Sequence, residues 1–172
     1  MNSRELEDRE YQYYYQKYIL RLEETSLMEA FKNTEHEFVN HVKALDREKL
    51  LYRYAEDKWT VAEVIQHVID TERIFTYRAL RIARNDATDL PGYEQDEYVP
   101  FSGANDRSTK ELLVDFKAAR LSTVSLFHSF TDTMLLRTGS VSGNHISVRA
   151  IGFIISGHLD HHLNILRERY SV

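Results

Sequence analysis

Three copies of a helix-start signal divide this chain into long helical segments. Ser26, Thr60 and Ser108 are each followed, three residues later, by a glutamate. In this capping box the hydroxyl accepts a hydrogen bond from a backbone N–H of the first turn, and the glutamate reaches back to the cap residue. Ser147 is a fourth candidate cap without the glutamate. The four signals predict helices at about 26–45, 60–85, 108–135 and 147–169.

Helix breakers are scarce in this chain, which has two prolines and six glycines among 172 residues. Strands would need more frequent turns, so long helices are favoured. Both prolines fall in the connection 86–107, between the second and third predicted helices, whereas the connections 46–59 and 136–146 are shorter. Four long helices with one long connection are typical of a bundle. We therefore predict an all-α four-helix bundle with a long connection between helices two and three.

The length of the chain suits one domain, residues 1–172, whose core is large enough to need no disulfide. The first residues, about 1–25, form an arm that is rich in tyrosine at positions 11, 13, 14, 15 and 18. A tyrosine ring is apolar with a polar tip, so we expect the arm to pack its rings against the bundle. The alternative is that the arm forms a pocket wall or a subunit contact.

The composition excludes several classes of function. A net charge of -5 argues against nucleic acid as a partner, because phosphate binding needs a concentrated basic surface. The absence of cysteine excludes disulfides, thiolate metal ligands and a catalytic cysteine. No apolar run approaches the roughly 18–20 residues that span a bilayer, and the first residues lack the order of a signal peptide. We therefore expect a cytoplasmic protein with no membrane partner.

Two histidines of the last predicted helix, His158 and His162, lie on its apolar stripe. At 100° per residue they share one face with Ile151, Ile155, Ile165 and Leu166. Buried imidazoles are costly unless their nitrogens are satisfied. Residues four apart on a helix can both bind one metal ion at about 2.0–2.1 Å, whereas hydrogen bonds within the core are the ordinary alternative. A metal-binding pair and a hydrogen-bonded pair both fit this pattern.

A metal site needs a further ligand, and the second predicted helix offers His67. This residue borders an apolar arc and could turn toward a neighbouring helix. A lone histidine in such a place is more often structural than a ligand. We expect the remaining histidines to bind no metal, since they lie among charges, in a loop, at the edge of the stripe or without a partner at ligand spacing: His36, His41, His128, His145 and His161.

Three segments of the chain together resemble the DinB/YfiT-like superfamily. Residues 59–75, with His67 in their middle, resemble the second helix of that family. Residues 90–96, Leu-Pro-Gly-Tyr-Glu-Gln-Asp, resemble its long loop, and residues 157–167, which contain Gly-His-Leu-Asp-His-His, resemble its last helix. The resemblance extends over nearly the whole chain. The order and spacing of the three segments make it more specific than any one motif.

The resemblance implies a four-helix bundle, commonly a homodimer, that binds nickel or zinc. The family's ligands are one histidine on helix two and an H-x-x-x-H pair on helix four, which in this sequence are His67, His158 and His162. Its members include metal-dependent hydrolases, thiol S-transferases that use bacillithiol or mycothiol, and a thiol-dependent isomerase of maleylpyruvate. Fold does not determine function, so the resemblance alone does not choose among these activities.

Three neutral histidines leave at least one position open on a metal, which is the arrangement of a catalytic site. The ion lowers the pKa of a bound water or thiol. Because the chain has no cysteine, a thiol would have to come from a small cofactor such as bacillithiol. We predict a metal-dependent hydrolase or low-molecular-weight-thiol transferase that acts on a small molecule in stress or detoxification. The alternative is a bundle that binds a metal or small ligand without catalysis, and no catalytic acid or base is assigned.

Residues that follow His67 along the second predicted helix are candidates for the pocket. Thr71 and Arg78 lie on the same side as His67, and Arg78 could hold an anionic group by a bidentate contact. The alternative for Arg78 is an ion pair at the surface or between helices. A carboxylate could orient a ligand histidine, and the available ones are Asp70, Glu72 and Asp160, of which Asp160 is expected to face water.

Overall fold

The computed structural model describes residues 1–172 and is built mainly from helices. The α-helices, in chain order, are α1 (Tyr13–Ile19), α2 (Leu27–Lys43), α3 (Arg47–Leu51), α4 (Val61–Ala83), α5 (Gln95–Tyr98), α6 (Thr109–His128), α7 (Asp132–Leu135) and α8 (Val148–Glu168). The strands are β1 (Asp89–Leu90), β2 (Thr138–Val141) and β3 (Asn144–Ser147). None of the helices combines the length and the apolar character needed to cross a membrane.

Each of the four long helices, α2, α4, α6 and α8, begins directly after a predicted cap residue. Ser26, Thr60 and Ser108 each accept from the backbone N–H three residues on, and the glutamate there accepts from the N–H of the cap. Ser147 accepts from the N–H of Ala150. Because a cap contributes about 1 kcal/mol, local chemistry is enough to set where each helix starts.

The four long helices form the predicted bundle. Both α2 and α4 pack against α6 and α8, which places α2 and α4 diagonally across the bundle. Their apolar faces enclose two clusters of buried side chains, one that includes Phe31 and Phe127 and one that includes Phe38 and Phe116. The rings of Phe38 and Phe116 lie 4.5 Å apart between centroids. The expectation of an all-α four-helix bundle is confirmed.

A buried ion pair connects α4 to α6 at the level between the two clusters. Arg120 is fully buried and donates to both carboxylate oxygens of Glu72, at 2.8 and 2.9 Å. The same guanidinium donates to the carbonyl oxygen of Phe31 at 2.8 Å and to the hydroxyl of Thr34 at 3.1 Å, both on α2. Bidentate pairing with further hydrogen bonds is what allows such charges to be buried. The pair therefore holds three helices together, and Glu72 is not free to orient a histidine.

The predicted end of the third helix, at residue 135, is wrong. The helix α6 stops at His128, and α7 begins afresh after Thr131. The side chain of Thr131 accepts from the N–H of Met134, so this threonine caps a new turn instead of continuing the old one. The connection 46–59 likewise contains a short unpredicted helix, α3, which Asp46 caps.

The connection 136–146, expected to be a loop, forms a β-hairpin of β2 and β3. Its two turn residues, Ser142 and Gly143, have φ angles of 51° and 73°. Positive φ at both positions is typical of a type I′ turn, which matches the twist of a hairpin. The strand β1, from the long connection, pairs in parallel with β2, so the sheet holds the long connection against the start of α8.

The N-terminal arm packs through α1 against α8. At the contact, a Cβ on Gly157 would lie only 2.1 Å from the carbonyl oxygen of Tyr18, so only glycine permits this approach. Asp160, expected to face water, instead pairs with Nε of Arg21 at 2.5 Å, because the chain just after α1 covers that face of α8. The close approach brings the ring of Tyr18 to 5.4 Å from the ring of His158.

Replacing Gly157 by alanine is expected to lower the free energy of unfolding by about 1–3 kcal/mol. The new methyl group would meet a backbone atom, which cannot move aside as a flexible side chain can, and this outweighs the roughly 1 kcal/mol by which alanine favours a helix. Urea denaturation followed by circular dichroism measures the change. The matched control is Ser156→Ala on the same helix, whose buried hydroxyl has no hydrogen-bond partner to lose. Equal stability of the two variants would contradict the close contact.

Candidate metal centre

Three histidines from two helices bring their Nε2 atoms together. His67 lies on α4, and His158 and His162 lie one turn apart on α8. Nε2 of His158 is 3.1 Å from Nε2 of His67 and 3.1 Å from Nε2 of His162. One nitrogen from each ring can be chosen so that all three lie within 4.8 Å of one another. The three histidines that the sequence put forward thus form one cluster, called here the histidine triad.

Burial keeps the triad neutral. His67 and His158 are 6% and 7% exposed. Burial lowers the pKa of His67 to about 4. Burial, reinforced by the neighbouring imidazoles, holds the pKa of His158 and of His162 well below the usual range. A neutral imidazole keeps one ring nitrogen free to act as a metal ligand.

The geometry of the triad fits a single transition-metal ion. Two nitrogens bound to one ion at about 2.0–2.1 Å lie about 2.9–3.4 Å apart when the angle between the bonds is about 90–109°. Two of the three separations, both 3.1 Å, fall in that interval, and the third, between His67 and His162, is within 4.8 Å. Hydrogen bonds alone satisfy the rings poorly, since Nε2 of His158 lies 3.1 Å from two other ring nitrogens but has only one proton or one lone pair to share. A ligand set made only of imidazoles suits zinc or nickel better than magnesium or calcium.

A chain of polar contacts connects the long connection to His67. The hydroxyl of Thr71 lies 3.5 Å from Nδ1 of His67 and 2.7 Å from the hydroxyl of Tyr93. On another side the ring of Trp59 lies 5.0 Å from the ring of His67. Contacts to the second ring nitrogen fix the orientation of a ligand histidine. Tyr93 was not recognised as a site residue from the sequence, although it lies in the loop motif 90–96.

A cavity of about 450 Å³ opens beside the triad. It lies between α1, α4, the long connection and the hairpin, and its lining includes Tyr15, Tyr18, Thr71, Phe75, Arg78, Tyr93, Ile154 and His158. Small-molecule sites have volumes of roughly 300–1,000 Å³ and similar aromatic walls. Because His158 belongs to both the lining and the triad, a molecule in the cavity can contact one member of the triad. Three tyrosines of the N-terminal arm, Tyr14, Tyr15 and Tyr18, are thus part of a pocket wall.

The remaining histidines are not part of the triad. His36, His128 and His145 are exposed. His41 is partly buried, and its Nε2 has no partner. The ring of His161 lies 5.2 Å from the ring of Tyr18 and 5.2 Å from the ring of His162. None of these residues joins the group of ligand atoms.

None of the three candidate carboxylates forms a hydrogen bond to the triad. Asp70 accepts from the amide of Gln66 at 2.9 Å, and burial raises the pKa of its carboxyl group. Glu72 is held by Arg120, and Asp160 by Arg21. The polar group nearest to a free ring nitrogen is therefore the hydroxyl of Thr71.

Comparison with protein families identifies the chain. The model of the DinB superfamily matches residues 30–166, which include the whole triad. The chain belongs to the DinB superfamily. Membership confirms the resemblance drawn from residues 59–75, 90–96 and 157–167, and most of each long helix of this DinB chain lies within the match.

The fold of this DinB chain is shared with a solved structure. YfiT from Bacillus subtilis, described as a probable metal-dependent hydrolase with an unusual four-helix bundle topology, superposes with a TM-score of 0.72. The two proteins are 15% identical, and the match covers 87% of this chain and 91% of YfiT. At that identity the likeness shows a common fold. No curated protein matches the sequence.

Proposed function

We propose that this DinB-superfamily protein is a metal-dependent enzyme in which the triad holds one divalent ion, nickel or zinc. Its substrate is a small molecule that enters the cavity lined by Tyr18, Phe75 and Arg78. The observation that carries the proposal is that His158 belongs both to the group of ligand atoms and to the wall of a cavity of about 450 Å³.

The ion would supply Lewis acidity that lowers the pKa of a nucleophile arriving from outside the protein. The protein's own residues orient the ligands and form the cavity wall. The Tyr93–Thr71 contact orients His67, and the rings of Tyr15 and Tyr18 form part of the wall that the substrate packs against. Without cysteine, the chain itself offers no sulfur nucleophile. The nucleophile is therefore water, in a hydrolase, or a small thiol such as bacillithiol, in a thiol S-transferase.

The triad and the cavity support both reactions equally, because they differ only in the molecule that meets the ion. The description of YfiT favours hydrolysis by fold likeness alone. A protein that binds a metal or small ligand without catalysis is the alternative. One observation favours this non-catalytic alternative. None of the three candidate carboxylates contacts the triad, as a catalytic acid or base would. We also propose that the protein is a homodimer and cytoplasmic, as the sequence predicted.

Purified protein loaded with Ni²⁺ or Zn²⁺ is expected to turn over at least one of two substrate panels. The first contains small esters and amides, and the second contains small electrophiles together with glutathione, mycothiol or bacillithiol. The rate should fall on the order of 10²-fold or more in His158→Ala, because losing a ligand exceeds the 10–100-fold cost of disturbing the groups behind ligands. Product formation followed by mass spectrometry is the measurement.

The control is His128→Ala, which removes an exposed histidine outside the triad and should leave the rate unchanged. Turnover of the first panel alone assigns a hydrolase, and turnover that needs a thiol assigns a transferase. If neither panel reacts faster than with the metal salt alone, the protein is a binder and the proposed enzyme is wrong.

A further inference from the structure

Three arginines of this chain are buried, and two of them have a carboxylate partner. Arg120 pairs with Glu72, and Arg149 pairs with Glu10 through two nitrogens. The third, Arg78, is 5% exposed and takes part in no ion pair. Arg78 therefore does not form the ion pair that was the alternative to a place in the pocket, and it lines the cavity, as proposed from the sequence. A buried guanidinium without a counter-charge is costly, so its environment calls for explanation.

The surroundings of Arg78 leave most of its donors free. A guanidinium carries five N–H donors, and the structure gives Arg78 one acceptor, the carbonyl oxygen of Pro91 at 2.8 Å. The rings of Phe75 and Tyr93 lie 5.2 and 5.8 Å from its central carbon and hold the group in place. Burial lowers the pKa of Arg78, which reflects the same cost of an unpaired charge. None of the remaining donors is a buried atom without a partner, so water or a ligand in the cavity that Arg78 lines can satisfy them.

We propose that this cavity binds a small organic monocarboxylate, with the carboxylate paired to Arg78 and the remainder of the molecule directed toward His158. Both residues line the same cavity, and apolar side chains of Tyr15, Phe75 and Ile154 lie in its wall. An apolar or aromatic body with a single acidic end matches that lining. The orientation toward His158 rests on the proposed function, whereas the contact with Arg78 needs no metal.

The charges around the cavity favour a carboxylate over a phosphate. Arg78 is the only lysine or arginine among the lining residues, and Glu94 and Asp96 also line the cavity. The two carboxylates beside this single positive charge repel a dianion about twice as strongly as a monoanion. The planar fork of a guanidinium also matches the two oxygens of a carboxylate. The substrate class is therefore a carboxylic acid of a size that about 450 Å³ accommodates.

Isothermal titration calorimetry with a panel of acids tests the proposal. The panel contains aliphatic and aryl-substituted monocarboxylates of two to ten carbons, the neutral amide of each, and inorganic phosphate. Metal-free wild-type protein, treated with a chelator, is expected to bind at least one acid tenfold or more tightly than its amide. Phosphate should bind more weakly than that acid. If no acid exceeds its amide by tenfold, or if phosphate binds best, the proposal is wrong.

Variants test whether the preference for an acid over its amide depends on Arg78. Arg78→Gln should lose the preference for the acid, and Arg78→Lys should retain part of it because the charge remains without the fork. The matched control is Arg73→Gln, which removes the same charge from a half-exposed position on the same helix. If Arg78→Gln fails to fold by circular dichroism, Arg78→Lys and the wild-type comparison decide. Discrimination that survives in both Arg78 variants overturns the assignment.

The experiments give different results if the Arg78 site is wrong and if the proposed metal enzyme is wrong. A preference for the acid in metal-free protein that binds no Ni²⁺ or Zn²⁺ would support the Arg78 site and reject the metal enzyme. Binding of acids only to metal-loaded protein, unchanged in Arg78→Gln, would place the carboxylate on the metal and reject the Arg78 site.

Discussion

Replacing Arg120 by methionine is expected to lower the free energy of unfolding by about 3–5 kcal/mol. The change leaves the carboxylate of Glu72, which is 3% exposed, buried without its bidentate partner. It also removes the donors to the carbonyl oxygen of Phe31 and the hydroxyl of Thr34. Domains of this kind are stable by about 5–15 kcal/mol in total, so the loss is a large fraction. Urea denaturation of both proteins gives the difference.

Two further variants separate the buried charge from a general effect of losing an arginine. Arg167→Met removes an exposed arginine that lies 3.3 Å from Glu37, and it should cost less than about 1 kcal/mol because solvent screens that pair. The double variant Glu72→Leu/Arg120→Met should recover much of the loss, since no charge is then left unpaired. A cost for Arg120→Met no greater than for Arg167→Met would contradict the picture of a buried ion pair.

The helix starts could be predicted because they depend on neighbouring residues. The hydroxyl of Thr60 and the glutamate three residues on form the same capping box in the structure as in the sequence pattern. The cap at Thr131 obeys the same chemistry but lies within a run that the pattern continued as one helix. Because no glutamate follows Thr131 three residues later, the evidence for a helix start there was weaker than the evidence of the apolar residues for one continuous helix.

The hairpin was missed because its signal is short. Ser142 and Gly143 adopt the positive φ angles of a tight turn, but the sequence offers one glycine between strands of four residues each. Strands that short are stable only through tertiary contacts, here with β1 and the start of α8. The local sequence of residues 138–147 does not predict those contacts.

The chemistry of the site could be predicted in part. Helical periodicity placed His158 and His162 on one face and offered His67 as a weaker candidate, which the family resemblance strengthened. The structure brings the three together. The cavity could not be predicted, since it depends on how the arm and the long connection close over α4. The pairing of Glu72 with Arg120 could have been predicted from the sequence, because each charged residue occupies a core-facing position on its helix.

Removing the metal is expected to destabilise the wild-type protein and leave triad variants almost unchanged. An ion that binds only the folded chain stabilises it by about 4 kcal/mol when its free concentration is about a thousandfold above Kd. For a chain of this length that corresponds to a shift in Tm of about 8–16 °C. Differential scanning calorimetry with and without a chelator measures the shift. His128→Ala, the exposed control, should shift as the wild type does, whereas equal shifts in His162→Ala would count against this site.

Elemental analysis of protein purified without a metal-affinity tag, after incubation with Ni²⁺ or Zn²⁺ and removal of free ions, tests the triad most directly. We expect about one divalent ion per chain in the wild type and in His128→Ala, because neither lacks a candidate ligand. His67→Ala, His158→Ala and His162→Ala should each hold far less. Equal metal content in all five proteins, or none in the wild type, would contradict a metal centre at these three histidines.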